Sequence, residues 1–208
     1  MIILLVGASG ATGQHLVAHL LKQGHTVRAV VRSAERLPES IRNDGNLFII
    51  EASILEISDT EMVEHVAGCD AVASCLGHNL TFKGMYGKPR RLVTDAARRL
   101  CAAIKANKPE KPIKYVLMNT TGNRNRDLDE PISFAERGVI ALSRLLLPPH
   151  VDNEKAADYL RTEISQNSPI IEWAAVRPDG LINESEVTEY GVYPSPTRSP
   201  IFNAGKVS

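Results

Sequence analysis

The chain predicts an α/β fold, a doubly wound parallel sheet with helices on both faces. Three observations carry this. Six short strand-like runs alternate with helical patterns along the sequence; the first run, Ile2–Val6, leads straight into Gly7-Ala8-Ser9-Gly10-Ala11-Thr12-Gly13; and that glycine run opens into the helical spacing of Leu16, Leu20 and Leu21. Continuous apolar strands joined by helical crossovers belong to parallel sheets, which are covered on both faces.

Taken in order, Gly24 marks the end of the first helix and Thr26–Arg32 reads as the second strand, so the opening βαβ unit has the usual length of about 30 residues. Leu47–Glu51 is the third strand, Glu61–Val66 a short helix and Asp70–Leu76 the fourth strand. From Arg91 to Lys105, the positions Leu92, Val93, Ala96, Ala97, Leu100 and Ile104 hold helical spacing, with arginines on the opposite, solvated face. Lys114–Met118 is the fifth strand, a helix covers Glu154 to Ile164, and Ile170–Val176 is the sixth strand. Between the fifth strand and that helix lies a long connection, Asn123 to Pro149. Its Phe134, Val139, Ile140, Leu142, Leu145 and Leu146 predict an inserted helix stopped by Pro148-Pro149, which packs on the core, covers a substrate site or forms a subunit contact.

At 208 residues the chain fits one domain, 1–208. Apolar residues at 43% and charged residues at 23% are those of a soluble globular protein, and the opening apolar run is too short for a signal peptide or membrane span, so a cytoplasmic location is expected. Lys plus Arg (24) balance Asp plus Glu (24), which argues against a nucleic-acid partner; no membrane partner is expected either. Cys69, Cys75 and Cys101 lack metal-ligand spacing and read as small core residues, with Cys75 near the carboxyl end of a strand. No metal site and no Ser-His-Asp order is predicted.

The strand, glycine turn and helix in that order form a phosphate cradle, because they bring backbone N–H groups and the positive end of a helix dipole to a dinucleotide's pyrophosphate. Gly7 permits the tight turn, Gly10 admits the phosphates and Gly13 lets the helix pack on the sheet; Ser9, Ala11 and Thr12 complete the loop. The end of the second strand selects the dinucleotide. A site for NAD places Asp or Glu there, about 20 residues after the glycines, to hold the ribose 2′-hydroxyl; this chain has Arg32-Ser33, which suits a 2′-phosphate and favours NADP, with NADPH preferred over NADH.

With these residues placed, the chain resembles the atypical short-chain dehydrogenase/reductase superfamily, in particular single-domain NAD(P)-binding proteins similar to NmrA-like proteins and flavin/biliverdin-IXβ reductases. The likeness spans nearly the whole chain. It rests on Gly7 to Gly13, Val31-Arg32, Cys75-Leu76-Gly77-His78, Asn119-Thr120-Thr121-Gly122 and Val176-Arg177-Pro178-Asp179-Gly180-Leu181. The resemblance implies a Rossmann-type fold, with Ser53 and Ile54 near adenine and Leu76, Gly77 and His78 near the adenosine ribose and pyrophosphate. It places Asn119, Thr120 and Thr121 beside the nicotinamide, and Pro178, Asp179 and Leu181 near the carboxamide. It also implies that relatives continue past Ala204–Ser208 into a further helix, so an end at Ser208 predicts either a shortened chain or a surface covered by another subunit.

One departure bears on mechanism. Ordinary short-chain dehydrogenases use Tyr-x-x-x-Lys, in which the lysine lowers the tyrosine pKa and the phenol moves a proton. Lys155 stands at the lysine position, where it can hold a ribose hydroxyl, but Val151 stands where the tyrosine belongs. Thr120, Thr121 and Lys155 are then the catalytic candidates, and Leu80, Phe82, Met85, Tyr86, Tyr190 and Tyr193 the candidates for an aromatic acceptor pocket. Hydride transfer to a flavin or quinone needs no protein phenol. The leading expectation is an NADPH-dependent oxidoreductase acting on such a small-molecule acceptor; the alternatives are a non-catalytic NADP(H) sensor with a regulatory protein partner and, more weakly, an epimerase-like nucleotide-sugar enzyme.

Overall fold

The computed structural model describes residues 1–79, 81–184 and 186–208. Its elements follow the expected alternation: β1 (Ile2–Val6), α1 (Ala11–Lys22), β2 (Thr26–Val31), α2 (Glu39–Arg42), β3 (Leu47–Glu51), α3 (Asp59–Val66), β4 (Ala71–Ser74), α4 (Phe82–Tyr86), α5 (Leu92–Ala106), β5 (Ile113–Met118), α6 (Phe134–Leu146), α7 (Pro148–Tyr159), β6 (Ile171–Val176), β7 (Gly180–Leu181) and β8 (Lys206–Val207). A parallel sheet runs in the order β3-β2-β1-β4-β5-β6, while β7 and β8 pair separately. The chain winds outward from β1 to β3 and returns to β4 on the other side of β1. This leaves a crevice between the carboxyl ends of β1 and β4, where open α/β sheets take ligands.

The period of two along each strand divides the core. Leu4 and Val6 face a layer with Met62, Leu100, Ile104, Tyr115, Leu117 and Leu160, whereas Leu5 faces the other layer with Val17, Leu21, Ala29 and Val31. Several side chains tie the layers at their rims. Arg28 of β2 donates to the carbonyls of His65 and Ala67 at 2.8 and 2.7 Å, satisfying the end of α3. Arg99 of α5, expected on a solvated face, donates to the carbonyls of Ile54 and Ile57 and to Asp59, so it pins the turn after β3.

Two expectations need correction. Pro148-Pro149 do not merely stop a helix: α6 ends at Leu146, and Pro148 opens α7, because proline's fixed φ and missing N–H suit the first helical turn. The predicted Glu154–Ile164 helix therefore starts earlier, and its last five residues, Leu160–Ile164, form a π-helical turn. The apolar residues of α6 do not all enter the core either. Ile140 is buried, but Phe134 is 91% and Leu145 79% exposed, since the capping box of Ser133 and Glu136 turns the helix so that Glu136 is the other buried residue.

The most buried ion pair of the long connection joins it to the end of β6. Arg177, just after β6, makes a fork with Glu130 at 3.0 and 2.6 Å, and Glu130 also accepts the Asn125 N–H at 2.9 Å. Burial pushes the Glu130 carboxyl up, but the Arg177 and Asn125 bonds outweigh it and hold the group below the usual carboxylate range. The pair therefore stabilises the fold at neutral pH, and its contribution is lost as pH falls through the depressed folded value. Arg177→Met is expected to cost about 3 kcal/mol, roughly 6–12 °C in melting temperature, by leaving a buried carboxylate alone. In thermal denaturation, the double change Arg177→Met with Glu130→Met should recover much of that loss; additive losses would contradict the pairing.

Candidate functional site

The crossover from β1 to α1 is fixed by close approach. Gly7 has φ +77°, and a Cβ there would lie 2.6 Å from the Cys75 carbonyl carbon, so the turn lies directly on the backbone leaving β4. A Cβ on Gly13 would run into the Gly7 carbonyl, so the first turn of α1 folds back on the same loop. The Gly10 N–H donates to the Gly7 carbonyl at 3.0 Å, and Gly10 is the N-cap of α1. That terminus has neither a side-chain cap nor an acidic residue in its first turn. Its N–H groups and dipole are thus set toward an anion.

Beside this loop opens a cavity of about 540 Å³ at the carboxyl ends of β1 to β4. Of the residues expected at a dinucleotide, Gly7, Ser9, Gly10, Arg32, Ser53, Ile54, Leu76, Gly77 and His78 line it. Arg36, Glu56, Lys88 and Pro89 line it as well and were not foreseen. Glu56 is the single carboxylate among the lining residues, against Arg32, Arg36 and Lys88. Ala11, Thr12 and Gly13 form the first turn of α1, and Ser33 is the N-cap of the short turn Ala34–Arg36. An acid does approach this corner, from the neighbouring strand: Glu51 at the end of β3 accepts the Ala34 N–H at 2.9 Å. Burial pushes the Cys75 thiol up to about 11, so the thiol on this wall is neutral.

His78 closes the other end. Its Nε2 lies 2.8 Å from the Asp152 carboxylate and its Nδ1 3.3 Å from the Gly84 carbonyl. Asp152, on α7 and 1% exposed, also accepts the N–H groups of Val93 and Thr94 at 2.8 and 3.0 Å and the Thr94 hydroxyl at 2.6 Å. A carboxylate far away in sequence thus caps α5, whose own N-cap, Arg91, makes no side-chain capping hydrogen bond. Burial pushes the Asp152 carboxyl up, but the bonds from His78, Thr94 and Val93 hold it below the usual range.

The remaining predicted residues lie elsewhere. Asn119 is buried, with its amide donating to the Asn153 carbonyl at 3.2 Å, and lines a separate cavity of about 260 Å³ with Trp173 and Arg177. Thr120 accepts the Gly122 N–H at 3.3 Å, and Thr121 lines a third cavity with Glu130 and Ser199. Lys155 is exposed and has no hydrogen bond or ion pair among the described residues. Pro178 and Asp179 precede β7, where Leu181 is 54% exposed. The aromatic pocket is not assembled: Phe82 and Tyr86 stack on α4 with centroids 4.9 Å apart and Phe82 79% exposed, while Tyr190 and Tyr193 are 66% and 64% exposed. Met85 lies on the same short helix, which contributes Gly84 rather than its apolar side chains to the cavity; Leu80 lies outside the described residues.

Residues 7–208 match the model of a family described as NAD(P)H-binding, and the chain belongs to that family. A dihydroflavonol 4-reductase candidate from Synechocystis sp. is 31% identical over 74 residues, which are 36% of this chain and 20% of that protein. The chain's matches span a quarter or less of the curated relatives' own length. Among solved structures, a short-chain dehydrogenase/reductase from Veillonella parvula shares the fold with a TM-score of 0.65 at 17% identity, covering 91% of this chain and 74% of that one. UDP-glucuronic acid 4-epimerase from Bacillus cereus, solved with UDP-glucuronic acid and NAD, shares it with a TM-score of 0.62 at 17% identity, covering 88% and 57%. No helix among the described residues is long and apolar enough to cross a membrane.

A Cβ at Gly10 would meet only the Gly7 carbonyl, at 3.3 Å, so this glycine is not demanded by the loop as Gly7 and Gly13 are. Gly10→Val is therefore expected to abolish dinucleotide binding in a protein whose melting temperature changes little, because the side chain occupies the space over the α1 terminus. Retained affinity in the folded variant, measured by fluorescence titration with NADPH, would contradict the cradle.

Proposed function

We propose that the protein is an NADPH-dependent reductase that passes hydride to a flat conjugated acceptor such as a flavin or quinone. The observation that supports this best is the cavity itself, with a glycine cradle and an uncapped helix terminus on one wall, arginines after β2 and one carboxylate in its lining. These residues fit a dinucleotide carrying an extra phosphate. The first turn of α1 would hold the pyrophosphate, Arg32 and Arg36 the 2′-phosphate, and Ser53 and Ile54 the adenine end. A bound nicotinamide supplies the hydride. The chain's share is to bind, to orient and to exclude water. Since Val151 stands in the phenol's place and Lys155 is exposed, the acceptor takes its proton from solvent.

The same two facts favour a second reading, a non-catalytic NADP(H) sensor that reports to a protein partner. NADPH oxidation followed by absorbance with a panel of flavins and quinones separates them: steady turnover supports the reductase, and tight binding without turnover the sensor.

Arg32 is expected to set an NADP(H) preference of roughly 1.5–3 kcal/mol over NAD(H), the range of a charge-assisted hydrogen bond. Arg32→Asp should remove or reverse it, and equal affinities for both cofactors in the unmodified protein, by calorimetric titration, would contradict the assignment. Single changes of Tyr86, Tyr159, Tyr190 and Tyr193 to Phe should alter turnover only modestly. A loss of several orders of magnitude in one of them, with cofactor affinity intact, would identify a proton donor and overturn the solvent route.

A further inference from the structure

The bonding of His78 determines its charge. Its Nδ1 faces the Gly84 carbonyl, which can only accept, so that nitrogen carries a proton. Its Nε2 faces Asp152, both of whose oxygens already accept hydrogen bonds from Val93 and Thr94, so the carboxylate accepts there too. A histidine that donates from both nitrogens is an imidazolium. It is held with its side chain 4% exposed, paired with a carboxylate whose side chain is 0% exposed.

The same ring joins three elements. It bonds the segment 81–89 at Gly84, which lines the cavity with Lys88 and Pro89; it bonds α7 through Asp152; and through Asp152 it reaches the start of α5. The segment has a second tie, the Tyr86 hydroxyl donating to the Leu146 carbonyl at 2.8 Å. We propose that His78 is a positioning residue for the dinucleotide, an imidazolium latch that seats segment 81–89 against α7 and sets a fixed positive charge in the cavity wall, so that affinity falls when the proton leaves. The proposal rests on the reading of this cavity as the dinucleotide site.

A neutral imidazole can serve only one of the two acceptors. If it keeps the proton toward Asp152, the Nδ1 lone pair opposes the Gly84 carbonyl, and the cavity loses both a cation and a seated wall. The groups bonded to His78 are the Asp152 carboxylate from α7 and the Gly84 carbonyl, while the titratable and charged groups that line the cavity with it are Lys88, Cys75, Glu56, Arg32 and Arg36. The Asp152 hydrogen bond, opposed by burial, holds the imidazole above its ordinary value. The latch is therefore complete at and below the usual histidine range and is lost as pH rises through the elevated folded value.

The test is NADPH affinity from pH 7 to 9.5, by fluorescence titration, for the unmodified protein and for His78→Gln. Wild-type affinity is expected to fall roughly tenfold or more across this range, as when one charged bond is lost. His78→Gln should bind weakly at pH 7 with a nearly flat profile. A flat wild-type profile, or a variant that matches the wild type at every pH, overturns the latch and leaves the cofactor reading intact. Absence of binding by the wild type at every pH overturns both. Because the wild-type profile needs no substitution, the proposal stays testable if His78→Gln does not fold. Direct observation of His78 by NMR supplies a second readout: NADPH should raise the pH at which the ring loses its proton, and an unchanged titration overturns the coupling.

Discussion

The site depends on a contact between two stretches of backbone. Gly7 lies against the peptide that leaves β4, and Gly13 lies against Gly7, so strand, turn and helix can meet only where side chains are absent. This contact aims the terminus of α1 at the gap between β1 and β4 rather than past it. The switch in strand order opens the same gap. Everything in the cavity is placed relative to this corner: Arg32 one strand away, the Ser53–Ile54 turn two strands away, and His78 just beyond β4.

Long-range polar contacts then hold loops that have little core of their own. Arg99 fixes the turn after β3, Glu130 and Arg177 fix the connection after β5, and Asp152 fixes the start of α5 and the loop after β4. Asp152 is the most connected of these, since one carboxylate caps a helix and anchors the histidine on the cavity wall. Buried carboxylates tolerate such a position only when their acceptor sites are filled. The need to fill them draws the His78 segment, α5 and α7 together.

The six strands, their alternation with helices and the cradle are legible in the sequence because they rest on local rules. Apolar runs between turn residues mark strands, and glycines at that spacing mark a tight crossover. Arg32 and His78 are legible because they follow strands directly. Asp152 is not, since its value comes from Thr94 and His78, which lie 58 and 74 residues away. Glu51 escapes notice for a related reason: the acid near the end of β2 comes from the adjacent strand, and strand order has to be known before the two can be put together. The aromatic set on the loops is the reverse case. Residue type suggests a pocket, but Phe82, Tyr190 and Tyr193 point outward because loop side chains are directed by tertiary contacts that no local pattern encodes. Pro148 was legible as a boundary but ambiguous in sense, since proline ends one helix as readily as it begins the next.

A crystal structure with NADPH tests the central claim most directly. The account requires the pyrophosphate on the N–H groups of Ala11 and Thr12, the 2′-phosphate beside Arg32, and His78 still bonded to both Asp152 and Gly84. A dinucleotide bound away from the Gly7–Gly13 loop, or one whose 2′-phosphate lies remote from Arg32 and Arg36, would contradict it.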